Sequence, residues 1–197
     1  MTTPRPKLTA PARVVPEAKV QAVTCVGIDP GLKGGIAWIW PDGTADARPM
    51  PIVEYTNGKR GICRDSFAMI LALNLDGPLF AAIEHVNAAP MHGRRQGTTS
   101  MFTFGREYGV LLGMLHSRDI EHVEVDPRRW KKAILSGTAK DKAAAIEWAQ
   151  RFHPRVSLLA KPRSRVPSDG MADALCLAEY ARQTWKVRQL LNGAKSC

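Results

Sequence analysis

The stretch Val23-Thr24-Cys25-Val26-Gly27-Ile28-Asp29-Pro30-Gly31-Leu32-Lys33-Gly34-Gly35-Ile36-Ala37-Trp38 leaves this chain few choices. An apolar, β-branched run ends on a carboxylate, turns through Pro and three glycines, and resumes as a second apolar run. That is the pattern of a strand, a tight turn and an antiparallel strand. Asp29 then ends a buried strand, beside backbone bare enough to come close to a ligand. Carboxylates are seldom buried without a partner, so the pattern implies a metal ion or a phosphate-bound metal. Turn capping, with Asp29 accepting hydrogen bonds from its own turn, explains the residue equally well at this point.

The remaining length bounds what can surround that hairpin. With 197 residues the chain holds one domain with a real core, plus tails. No run approaches the roughly 18 apolar residues of a membrane helix, so no span is expected. A net charge of +10 favours a polyanionic partner, either nucleic acid or an acidic membrane surface. Cys25, Cys63, Cys176 and Cys197 form no CxxC pair and no zinc spacing with the histidines, which points to a reducing compartment without disulfides. Residues 1–20 hold four prolines, four basic residues and one acid, Glu17, and are expected to be a disordered basic arm. They contain no secretory h-region. The domain is expected over 21–191, with a tail at 192–197.

Further along, residues 44–53 read as a third strand. Ile62, Phe67, Ile70, Leu71 and Leu75 recur near helical spacing, which predicts a helix over 62–75, stopped by Asp76-Gly77-Pro78. Leu79 to Val86 then repeats the opening signal, a short apolar run delivering Glu84 at its end. A loop at 87–97 carries Arg94 and Arg95, and a long helix begins at Thr98 or Ser100. Gly105, Gly109 and Gly113 recur in it every fourth residue, which predicts close backbone packing against the sheet or a partner. Residues 120–125 give a fifth strand. Asp126-Pro127 then caps a helix bearing Arg128, Arg129, Trp130, Lys131 and Lys132, a candidate phosphate clamp with an aromatic platform. Lys140 to Phe152 forms another helix, with Lys142 near its start. Asp169 and Asp173, four apart, share one face of a last helix, where like charges call for a cation. Asp169 alone is also explained as a helix cap.

Asp29, Glu84, Asp169 and Asp173 therefore make an all-oxygen set, with no Cys or His at ligand spacing. Such donors select Mg²⁺, with Mn²⁺ as a substitute, over Zn²⁺. Two such ions suit in-line phosphoryl displacement, and the surrounding cations imply a substrate with several phosphates. Arg94, Arg95, Arg106, Arg128, Arg129, Trp130, Lys131, Lys132 and Lys140 are the candidate DNA contacts. Together these features point to a nuclease.

The motifs Gly27-Ile28-Asp29-Pro30-Gly31, Ala82-Ile83-Glu84-His85-Val86 and Ala172-Asp173-Ala174-Leu175, in that order, resemble the RuvC-type Holliday-junction resolvases of the ribonuclease H-like superfamily. The resemblance extends through residues 100–106, Gly109, residues 127–132 and Lys142, spans roughly 22–183, and is nearest the phage-type branch. It implies an α/β fold with a mixed five-stranded sheet flanked by helices. It also implies Mg²⁺-dependent cleavage of four-way DNA junctions by a homodimer that nicks opposing strands, in the cytoplasm of a bacterium or phage-infected host, with an organellar address also open. By motif match Asp29, Glu84 and Asp173 are metal ligands, Asp169 is the fourth acid, and Lys142 lies near the scissile phosphate. The competing expectations are a less selective nuclease on flaps, forks or RNA-DNA hybrids, and a non-catalytic junction-binding module.

Overall fold

The computed structural model describes residues 22–72, 77–86, 97–137 and 142–195. The basic arm expected at 1–20, Arg94 and Arg95 with their loop, Lys140 and the side chain of Lys142 lie outside the described residues. Along the chain run β1 (Thr24–Asp29), β2 (Gly35–Ile39), β3 (Ala45–Pro49), β4 (Ile52–Glu54), β5 (Arg60–Ile62), α1 (Arg64–Ala72), β6 (Leu79–Glu84), α2 (Thr98–Ser117), β7 (Glu121–Val125), α3 (Pro127–Ile134), α4 (Lys142–Phe152) and α5 (Asp169–Lys195). Five strands form one mixed sheet in the order β3-β2-β1-β6-β7, with β2 antiparallel to β1 and β3, and with β6 and β7 parallel to β1.

Strand parity sorts the two layers of core. Val26, Ile28, Ile36, Trp38, Ala81 and Ile83 point to one face, where they bury Phe67 and Leu71 of α1 and Leu111 and Leu115 of α2. Cys25, Ala37, Ile39, Phe80 and Ala82 point to the other, against α3, α4 and α5. The central strands carry apolar residues on both faces because helices cover both. The described thiols Cys25, Cys63 and Cys176 are free. No described helix is long and apolar enough to cross a membrane.

Parity also decides where the acids go. Asp29 lies two residues beyond Gly27, and Glu84 two beyond Ala82, so both face α5. The parallel register pairs Ile28 with Ile83, leaving Asp29 and Glu84 side by side at the carboxyl ends of neighbouring strands. A one-residue slip would send one of them to the opposite layer.

Helix α5 lies across β1, β2 and β6. Its approach is set by glycine: a Cβ on Gly27 would overlap Ala174 O and Ala178 N of the helix, and one on Gly170 would overlap Lys33 O in the β1–β2 turn. Backbone meets backbone at both points, which carries the acidic first turns of α5 onto the end of β1.

Two expectations are corrected. The strand expected over 44–53 breaks at Met50-Pro51, where proline has no N–H for a ladder. The chain instead enters a two-stranded ribbon, with Ile52 opposite Ile62. Its turn carries Asn57-Gly58, a hairpin signal, with Gly58 at φ 75°. Ile62 accordingly belongs to β5, and the helix expected from 62 begins at Arg64. Second, the glycine row of α2 does not pack on the sheet. A Cβ at Gly105, Gly109 or Gly113 would meet nothing within 4 Å, because α2 turns Glu107, Leu111 and Leu115 inward instead. Helix α5 runs to Lys195, past the residue 191 at which the domain was expected to end.

Candidate active site

Strand β1 and helix α5 converge on one cleft of about 750 Å³, lined by Asp29 from the end of β1 and by Asp169 and Asp173 from the first turns of α5. Lys33, Arg60 and Lys161 line it as well, so the acids sit inside a ring of cations. The cap of α5 is Ser168, whose Oγ accepts from Met171 N at 3.4 Å; capping therefore does not account for Asp169. Gly31 N–H donates to Asp29 Oδ1 at 3.3 Å, so Asp29 does cap its own turn. One such bond does not satisfy it. Burial, followed by the charges of Glu84 and Asp173, pushes the Asp29 carboxyl up to about 7, against the partial relief of the Gly31 bond and Lys131.

Glu84 is held differently. Burial pushes its carboxyl up, while the indole N–H of Trp130 donates to Glu84 Oε2 at 2.7 Å and stabilises the charged form. Trp130 is 0% exposed, which corrects its expected role as an aromatic platform for DNA. Its ring fills the core beneath α3, and its nitrogen orients an acid. The clue available in the sequence is the apolar face of α3, where Trp130 and Ile134 recur at i and i+4. Asp126 caps that helix, accepting from Arg128 N at 2.8 Å, an arrangement worth about 1 kcal/mol. Lys131 sits with its ammonium 5.1 Å from the Trp130 ring and acts electrostatically on both Asp29 and Glu84.

The other expected contacts are scattered. Arg128, Arg129 and Lys132 are exposed on α3. Arg106 is turned to Glu107 on α2, with Nη2 to Oε1 at 2.7 Å. Lys142 opens α4. Arg60 and Leu32, which motif reading passed over, line the acid cleft.

The donors are all oxygen, crowded like charges that a divalent cation would relieve, and in that respect the residues fit Mg²⁺ or Mn²⁺. As the side chains stand, no group of three His, Cys, Asp or Glu among the described residues is disposed to hold a metal ion. Glu84 has one oxygen engaged by Trp130.

The strand order and the antiparallel β2 define an α/β fold built on a mixed five-stranded sheet, with Asp29 and Glu84 at the carboxyl ends of neighbouring parallel strands. Among solved structures the chain is similar to RuvC of Thermus thermophilus, at 17% identity over 82% of this chain and 97% of that one, TM-score 0.49. T. thermophilus RuvC in complex with a Holliday junction substrate gives 15% identity, 83% and 97% coverage, and TM-score 0.48. The yeast mitochondrial Holliday junction resolvase Ydc2 gives 11%, 92%, 88% and 0.47. No protein-family model and no curated protein matches the sequence.

Proposed function

We propose that this protein is a Mg²⁺-dependent endonuclease that resolves four-way DNA junctions by paired nicks in opposing strands. The observation that carries the reading is Asp29: a strand-end carboxyl driven up to about 7 by burial and by two further acids, in a cleft ringed with cations. Asp29, Glu84 and Asp173, with Asp169, would hold the divalent cations. When bound, those ions supply Lewis acidity for in-line attack of water on a phosphodiester and neutralise the leaving oxygen. Trp130 fixes one oxygen of Glu84 and favours its charged form against the burial that opposes it. Lys33, Arg60 and Lys161 draw the phosphates in, and by motif match Lys142 would be the basic residue that serves the scissile one. Opposing nicks require two such clefts, hence a homodimer.

The deciding experiment is cleavage of a synthetic four-way junction and of linear duplex by the full chain, with Mg²⁺ and with chelator. Junction nicking that needs the metal and disappears in Asp29→Asn is the expected result. Equal cutting of both DNAs removes the junction selectivity, and faster cutting of an RNA-DNA hybrid favours the less selective nuclease. Activity unchanged in Asp29→Asn removes the enzyme.

Two further results are expected. Trp130→Phe deletes the donor that lowers the Glu84 pKa, so the acid limb of the pH–rate profile moves to higher pH. A limb that stays in place rules out Glu84 ionisation as the limiting step. Arg128→Ala with Lys132→Ala weakens junction binding and reduces the slope of log affinity against log salt by about 2, one per phosphate contact. Arg94→Ala with Arg95→Ala is expected to do the same, and an unchanged slope would exclude either pair.

A further inference from the structure

A second cleft of about 650 Å³ opens between the β1–β2 turn, the β4–β5 ribbon and the start of α2. Leu32 and Arg60 line both it and the acid cleft, so the two adjoin. Pro30, Leu32 and Phe104 give it an apolar lining, and Leu32 and Phe104 remain 39% and 37% exposed. Lys59 and Arg60 supply positive charge, and Thr99, Ser100 and Thr103 supply hydroxyls.

The cleft is built rather than left over. Glu107, which also lines it, is 3% exposed; its Oε2 accepts from Ile62 N at 3.3 Å and its Oε1 from Arg106 Nη2 at 2.7 Å. A buried carboxylate thus ties the ribbon to α2 and holds the two walls together, while giving the cleft a fixed hydrogen-bond acceptor.

We propose that this cleft receives one unpaired nucleobase, from the nucleotide next to the phosphate held at the acids. The inference rests on the nuclease reading above and names the part of the substrate that its neighbouring cleft takes. A flat ring with polar edges matches an aromatic and aliphatic lining with hydroxyls and one carboxylate. The backbone that follows it matches Lys59 and Arg60, and the shared Leu32 and Arg60 place base and phosphate in adjoining clefts. A base stacked within a duplex cannot enter, whereas one at a branch point has little pairing or stacking to lose. The cleft therefore selects DNA with an unpaired nucleotide at the cutting site.

The test is a cycle of full-chain variants and modified junctions, with affinity measured by anisotropy in the absence of divalent metal. Each branch-point nucleotide of the four-way junction is replaced in turn by an abasic residue. At one position wild type is expected to lose about tenfold in affinity, the loss of one base–aromatic stack. Phe104→Ala loses the same factor on the intact junction and nothing more on that abasic one. Thr99→Trp, at an exposed position, fills the cleft and reproduces the loss without removing a half-buried aromatic. Wild-type affinity in both variants, or losses that multiply with the abasic change, overturns the proposal. So does a change of sedimentation mass in Phe104→Ala, which would make the occupant a second copy of the chain. Metal-dependent nicking by wild type alongside indifferent variants overturns this proposal alone. The abasic signature in a wild type that never nicks overturns the nuclease reading alone.

Discussion

Asp29→Asn is expected to abolish cleavage and, in the same molecule, to raise stability at neutral pH. The carboxyl titrates near 3.8 in an unfolded chain and about 7 in the folded one. Its contribution to stability is complete below pH 4 and is lost as pH rises to 7, because the folded state is then forced to ionise a buried acid beside Glu84 and Asp173. By pH 8 that cost is on the order of 2–4 kcal/mol. Asparagine keeps the shape and carries no charge. The Tm of Asp29→Asn should therefore exceed that of wild type by roughly 5–10 °C at pH 8, with the gap closing toward pH 4. Mg²⁺ should raise the wild-type Tm at pH 8 and leave the variant nearly unmoved. Cleavage should fall by roughly three orders of magnitude or more, while junction binding survives. A variant less stable than wild type at pH 8 would show that Asp29 is not a strained, unneutralised acid. Loss of binding together with cleavage would count against a metal-holding role.

Gly27→Ala should unfold the site from the opposite direction. The added methyl lands on Ala174 O and Ala178 N, backbone atoms of a buried helix that cannot yield without carrying Asp173 with them. Overpacking a core costs about 1–3 kcal/mol where side chains can shift, and here the obstacle is main chain, so about 3 kcal/mol or more is expected. For a chain of this size that lowers Tm by roughly 6–12 °C. Gly109→Ala is the control. Its new methyl meets nothing within 4 Å, and better helix propensity should make it neutral to about 1 kcal/mol stabilising. Thermal melts of the two variants compare a glycine required by close approach with one that is not. Equal melts would show that α5 does not depend on Gly27 for its seat.

The contrast between these glycines shows where sequence reading stops. The row in α2 stands out by its spacing, but spacing does not say what lies opposite. That row was expected against the sheet or a partner, and the structure turns it away from the sheet, because Glu107, Leu111 and Leu115 hold the inner face. Trp130 reads as a DNA platform when seen among four cations, yet only its place under α3 shows that it is core and that its N–H orients Glu84. The β4–β5 ribbon had its own signal in Asn57-Gly58, hidden behind the helical spacing of Ile62 with Phe67.

The sequence by itself determined the strands that end in Asp29 and Glu84, the Asp126-Pro127 helix start, the pairing of Asp169 with Asp173 on one helix and the excess of positive charge. Those features follow from local periodicity and turn chemistry, which act over a few residues. Only the tertiary structure decided that Asp29 and Glu84 face the same layer, that α5 approaches β1 closely enough to add Asp169 and Asp173, and that Asp29 is consequently driven up to about 7. Register and burial join residues more than a hundred positions apart, and a carboxyl's pKa depends on the charges and water around it in space.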